Sequence, residues 1–126
     1  MTFSVHSGSS TPHGTVSDSL IPRSNTGINH LTVTSDSAGT TYIDMSAMWK
    51  PGMNFGIAVQ ASLGLSVVVS GTLTPYNMVS AANDANIPWD AAGTCSAGSI
   101  VTSDLKLYTS LKLVFSGAGV CYIATF

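Results

Sequence analysis

Residues 30–45 read HLTVTSDSAGTTYIDM. Leu31 and Val33 alternate with Thr32 and Thr34, Ser35-Asp36-Ser37-Ala38-Gly39 is a turn, and Thr41, Ile43 and Met45 then face one way with Tyr42 facing the other. A side-chain period of two is what a pleated strand with one buried face requires, so this stretch predicts two strands joined by a short turn. The second strand ends at Met48-Trp49-Lys50-Pro51-Gly52, and the same period resumes beyond it. Phe55, Ile57 and Val59 alternate with Asn54, Gly56 and Ala58, and Leu63, Leu65, Val67 and Val69 repeat the pattern over a longer run. These predict two adjacent long strands, and Val68 on the second face predicts that the later one is covered on both sides.

Further along, residues 76–79 form a short β candidate. Residues 80–92 (SAANDANIPWDAA) read as a long loop with room for one helical turn before Pro88. Residues 93–101, 105–108, 111–115 and 119–125 supply four more strands, the last two joined by a tight hairpin at Ser116-Gly117-Ala118-Gly119. Many short strands, glycine turns and no amphipathic helix point to an all-β, antiparallel β-sandwich or small barrel. The predicted sandwich domain spans residues 28–126.

Residues 1–27 differ in composition. They are rich in Ser, Thr, Gly and Pro and poor in apolar groups, which predicts an extended N-terminal arm rather than a core of its own. Phe3 and Val5 alternate with polar residues, and Leu20 and Ile21 form an apolar island. These four are candidate interface residues, placed where an extended arm can pair with a sheet edge or seat in a neighbour's groove.

The polar positions are filled by 19 Ser, 14 Thr and 12 Gly, and Glu is absent, so exposed helix faces have little to be built from. Charged residues make up 8% of the chain against about a quarter in a typical soluble domain, and mean hydropathy is +0.34. So sparsely charged a surface is expected to be covered in part by other chains, including copies of this one. Arg23, Lys50, Lys106 and Lys112 are scattered, which argues against a nucleic-acid groove. Apolar runs fall well short of the roughly 20 residues of a membrane-spanning helix, and nothing at the start resembles a secretory signal. Cys95 and Cys121 are expected as free thiols.

No catalytic constellation is legible. His6 and His13 lie in the arm and His30 stands alone; no Cys/His spacing suits zinc, and no nucleophile elbow or phosphate-cradling glycine loop occurs. Asp36, Asp84, Asp90 and Asp104 are expected in turns or loops, capping backbone amides, and only Asp44 falls inside a strand. The chain is therefore expected to be non-enzymatic and to need no cofactor. Trp89, beside Pro88, is expected to plug an end of the sandwich. Trp49, in Trp49-Lys50-Pro51-Gly52, is a candidate interface residue.

Residues 55–126 carry Ser66-Val67-Val68-Val69-Ser70-Gly71-Thr72-Leu73-Thr74, a loop with Pro88-Trp89-Asp90, then Gly93-Thr94, and the ending Leu111-Lys112-Leu113-Val114-Phe115-Ser116-Gly117-Ala118-Gly119-Val120. In these features the chain resembles small tailed-bacteriophage virion proteins of the capsid cement or decoration type. That resemblance implies an antiparallel β-sandwich body, jelly-roll-like, in a structural homo-oligomer, dimer or trimer, assembled in the host cytoplasm. It would bind the phage major capsid protein on the outside of the head and stabilise it, with no nucleic-acid or membrane partner. The alternative is a receptor- or carbohydrate-binding module of a tail fibre, using a loop tryptophan as its platform, or a tail or neck subunit.

Overall fold

A computed structural model describes residues 5–7, 15–17, 29–49, 55–104 and 106–126. Ten strands run in chain order: β1 (Val5–Ser7), β2 (Thr15–Ser17), β3 (Asn29–Ser35), β4 (Gly39–Asp44), β5 (Ile57–Ala61), β6 (Val67–Thr72), β7 (Asp90–Cys95), β8 (Ile100–Ser103), β9 (Ser110–Phe115) and β10 (Gly119–Thr125). They form two five-stranded sheets, ordered β1-β4-β9-β6-β7 (sheet A) and β2-β3-β10-β5-β8 (sheet B), with every ladder antiparallel. Among the described residues the only helical pieces are three 3₁₀ turns of three residues each. The chain is an all-β antiparallel sandwich.

The pairing is nested. β6 pairs β7, β5 pairs β8, β4 pairs β9 and β3 pairs β10, as in one long hairpin rolled so that successive rungs fall alternately into the two sheets. This is jelly-roll topology. Its inner faces carry the alternating residues that the sequence marks: Leu31 and Val33, Ile43, Ile57 and Val59, Val67 and Val69, Leu111, Leu113 and Phe115, and Cys121 and Ile123, all buried.

Several expectations are corrected by this roll. The turn at 116–119 does not close a hairpin, because β9 lies in sheet A and β10 in sheet B. Likewise β5 and β6 are consecutive in sequence but sit in opposite sheets. Strands facing one core from two sides have the same alternation as strands that pair, so period two cannot tell them apart. The run expected to begin at Leu63 starts as a strand only at Val67. Gly64 takes a left-handed φ of +82°, the Leu65 N–H bonds the Ser62 carbonyl at 3.1 Å, and Leu63 is left 85% exposed. Val68 is 44% exposed opposite Val114, so β6 is buried on one face, not two.

Residues 76–78 form a 3₁₀ turn rather than a strand, started by Pro75, whose carbonyl accepts from the Met78 N–H at 2.9 Å. The segment 93–101 is split between β7 and β8 by a tight turn in which Ala97 and Gly98 both have positive φ. Residues 106–108 are irregular. The two described pieces of the expected arm pair within this same chain: Val5 opposite Ile43 at the edge of β4, and Val16 opposite Val33 at the edge of β3.

Candidate functional site

The β6–β7 connection, residues 73–89, folds back over the outer face of sheet A. Tyr42, outward-facing on β4, is buried there with Val79 and Ile87, and Tyr76 and Trp89 pack against them. Trp89 stacks on Tyr42 with ring centroids 6.0 Å apart, and the Lys112 ammonium sits 4.8 Å from the Trp89 ring centre. Trp89 is thus a plug, but over a sheet face rather than at an end of the sandwich.

One carboxylate ties this layer down. Asp84 Oδ2 accepts from the Tyr42 hydroxyl and Oδ1 accepts from Lys112 Nζ at 3.1 Å, so both oxygens are engaged. Burial pushes the Asp84 carboxyl up, but hydrogen bonds from Tyr42 and Lys112, together with the lysine charge, outweigh it and hold the group below its ordinary value. The Trp89 Nε1–H is buried without a hydrogen bond of normal geometry, yet it adds to the same pull on Asp84. Tyr42 is pushed well up, by burial first and by the facing carboxylate second.

A second set with the same chemistry lies where β6 ends, β7 begins and the chain enters β9. The Asp90 carboxylate accepts from the Tyr108 hydroxyl at 2.5 Å and from Lys106 Nζ at 3.0 Å, both on Oδ2. Tyr108 is buried, its ring lies flat against the Gly71 backbone, and its carbonyl accepts from Trp49 Nε1 at 2.7 Å. The hydrogen bonds from Tyr108 and then Lys106 lower the Asp90 carboxyl, and the bond to Asp90 raises Lys106. Here the ion pair is open to solvent, with side-chain exposures of 53% for Lys106 and 49% for Asp90. It borders a groove of about 650 Å³ walled by Leu73, Pro88 and Leu107.

A third feature is the outer face of sheet B. The register aligns Thr32, Tyr122, Gln60 and Ile100 in one row and His30, Ala124, Ala58 and Thr102 in the next. Tyr122 is 50% and Ile100 59% exposed, and a shallow pocket of about 190 Å³ lies among His30, Gln60 and Tyr122. Among the described residues this face carries no Asp, Lys or Arg.

Of the candidate interface residues, Phe3, Leu20 and Ile21 lie outside the described residues, and Val5 is in β1. Trp49 packs against the core and meets Phe55 edge-on, with centroids 5.8 Å apart. Two of the acids depart from their expected roles, and Asp90 opens β7 instead of lying in a loop. Asp84 and Asp90 bind side chains rather than backbone amides. Asp44, which falls inside a strand as expected, accepts from the Ser46 N–H and hydroxyl just beyond it. Both cysteines are free and buried; burial pushes Cys121 up to about 12, and Cys95 lies near enough to add to it. Sequence reasoning treated Lys106 and Lys112 as scattered charges. No spacing signal links Lys106 to Asp90 or Lys112 to Asp84, because each pair meets only through the roll of the sheets.

Among the described residues no group of three or more His, Cys, Asp or Glu is placed to hold a metal ion, and no helix is long and apolar enough to cross a membrane. No protein-family model and no curated protein matches the chain. Solved structures similar to it include the Cupin_2 domain of an XRE-family transcriptional regulator from Enterobacter cloacae, at 8% identity over 89% of this chain and 94% of that one, TM-score 0.46. An oxalate oxidase is 12% identical over 95% of this chain, which spans about half (53%) of its length, TM-score 0.46. The CBM22-1 xylan-binding domain of Xyn10C from Paenibacillus barcinonensis is 8% identical over 96% of this chain and 88% of that one, TM-score 0.33.

Proposed function

We propose that this protein is a non-enzymatic structural subunit that docks through the outer face of sheet B onto copies of itself and a larger protein. The setting implied by its sequence resemblance is the shell of a bacteriophage particle, where it would serve as a cement protein on the head. The observation that carries the reading is the uncharged face itself. A five-stranded sheet normally sets polar and charged groups toward water, yet the rows Thr32-Tyr122-Gln60-Ile100 and His30-Ala124-Ala58-Thr102 present methyl, hydroxyl, amide, imidazole and aromatic surface, with no Asp, Lys or Arg. Such a face meets a copy of itself without juxtaposing like charges, and an exposed tyrosine supplies the kind of anchor that protein interfaces favour. Asp84, the least exposed of the ion-paired acids, holds Tyr42 and Lys112 on its two oxygens, which suits a structural tie rather than acid–base work.

Sedimentation equilibrium tests this. The wild type should self-associate below about 1 mM, a weak but measurable affinity, and Tyr122→Lys combined with Ile100→Lys should sediment as a monomer. Wild-type protein that stays monomeric at that concentration, with the same profile as the double variant, would remove the self-assembly reading.

A second reading, the carbohydrate- or receptor-binding module, is favoured by one observation. The groove beside Asp90 and Lys106 combines apolar walls with polar groups that the chain itself leaves partly unused. Its platform would not be a tryptophan, since Trp49 and Trp89 are both packed within the chain.

A further inference from the structure

Asp84 and Asp90 are each bonded by one tyrosine and one lysine, but they distribute the bonds differently. Asp84 uses both oxygens. Asp90 receives Tyr108 and Lys106 on Oδ2 alone, and among the described residues its Oδ1 accepts nothing. Lys106 in turn has one hydrogen-bond partner there, Asp90, for three N–H donors. The groove therefore offers a free acceptor and free donors on two groups 3.0 Å apart, fixed from below by a buried tyrosine.

The ligand class follows from that pairing. A cationic group drawn to Asp90 meets the Lys106 charge, and an anionic group drawn to Lys106 meets Asp90, so neither gains net attraction. A hydroxyl both donates and accepts, and can bridge Oδ1 and Nζ together. The walls, Leu73 at 67% and Leu107 at 41% exposure with Pro88 beside them, suit the C–H faces of a ring that carries such hydroxyls. At about 650 Å³ the groove lies within the range of small-molecule sites and is open, so a chain of rings can leave it.

We propose that the groove between Leu73 and Leu107 binds a neutral saccharide, with Asp90 Oδ1 and Lys106 Nζ holding ring hydroxyls. This rests on the carbohydrate-binding reading and gives that reading a site, distinct from the uncharged face of sheet B.

The test is a titration of ¹⁵N-labelled full-length protein with cellotriose, xylotriose, maltotriose and chitotriose, each to about 20 mM so that a millimolar Kd is visible, followed by amide shifts. Glucosamine and glucuronate serve as charged probes. At least one neutral trisaccharide should shift amides of residues 71–74, 88–90 and 106–108. Lys106→Met, an exposed change that leaves Tyr108 on Asp90, should weaken that binding at least about tenfold, as loss of a charge-assisted hydrogen bond does. Asp90→Ala should do the same by removing the acceptor. Shifts confined to His30, Gln60 and Tyr122 would keep the carbohydrate reading and overturn the groove. Tighter binding of either charged probe would overturn the neutral ligand class. No shift with any neutral probe would overturn both the groove and the carbohydrate reading.

Discussion

The chain builds the same three-residue device twice and uses it differently. In Tyr42–Asp84–Lys112 the lysine and aspartate side chains are 19% and 29% exposed, a tryptophan lies over the lysine, and every carboxylate oxygen is taken. In Tyr108–Asp90–Lys106 the tyrosine ring is just as buried, but the ion pair stands half in water and one oxygen is left over. The difference comes from what covers each set. The 73–89 connection lies across the first, and the groove opens beside the second. Attraction between charges grows as water is excluded, so identical chemistry acts as a latch in one place and as an accessible polar pair in the other.

The largest disruption should come from beneath the open set. A Cβ on Gly71 would stand 2.4 Å from the Tyr108 ring, far inside van der Waals contact, so the ring or the β6 backbone must shift. Gly71→Ala should cost about 3 kcal/mol, the upper end for overpacking, and lower the melting temperature by about 10 °C. It should also dislodge the Tyr108 hydroxyl from Asp90 while leaving the latch intact. A melting temperature within a degree or two of wild type would show that the ring is not held as described.

Next comes the latch. Asp84→Ala removes the carboxylate that accepts from the Tyr42 hydroxyl and the poorly exposed Lys112, a loss of about 2 kcal/mol and about 7 °C. Because the 73–89 layer loosens, Trp89 emission should move to longer wavelength before the core unfolds. Equal effects from Asp84→Ala and Lys106→Met would erase the contrast between the two sets.

Acid gives a smaller version of the same effect. The folded-state value of Asp84 lies below its ordinary one, so the folded protein binds fewer protons there than the unfolded chain. Its contribution is therefore present above the ordinary carboxylate range and is lost as pH falls through the folded value. Between pH 5 and pH 2, limits set roughly by that range, the wild type should lose more melting temperature than Asp84→Ala, which has nothing left to lose at that site. Parallel curves would assign the acid sensitivity elsewhere. At the small end, Lys106→Met should leave the melting temperature unchanged within error, because a solvent-screened pair adds little to stability.

Strand positions were legible wherever a strand has one wet face. Leu31 to Ser35, Ile57 to Val59, Leu111 to Phe115 and the final run all alternate because water and core enforce it residue by residue. The misreadings fall where another force acts. Leu63 looks like the start of a strand but precedes a left-handed Gly64, and Tyr76 lies behind a proline that starts a turn. Outward-facing Tyr42 is buried by a distant loop. The candidate sites were hardly legible: Asp90 and Lys106 are sixteen positions apart and Asp84 and Lys112 twenty-eight, with no periodicity joining them.

The sequence by itself determined that this is a β protein with sparse charge and little helix, since those properties follow from composition and local period. Only the tertiary structure decided which strands pair and which merely face each other across the core, and hence which aspartate meets which lysine. The reason is physical. Alternation records the side of a strand that is dry, a local property. The identity of its neighbour is set by how the whole hairpin rolls, and that roll decides which carboxylate is covered and which is left open to a ligand.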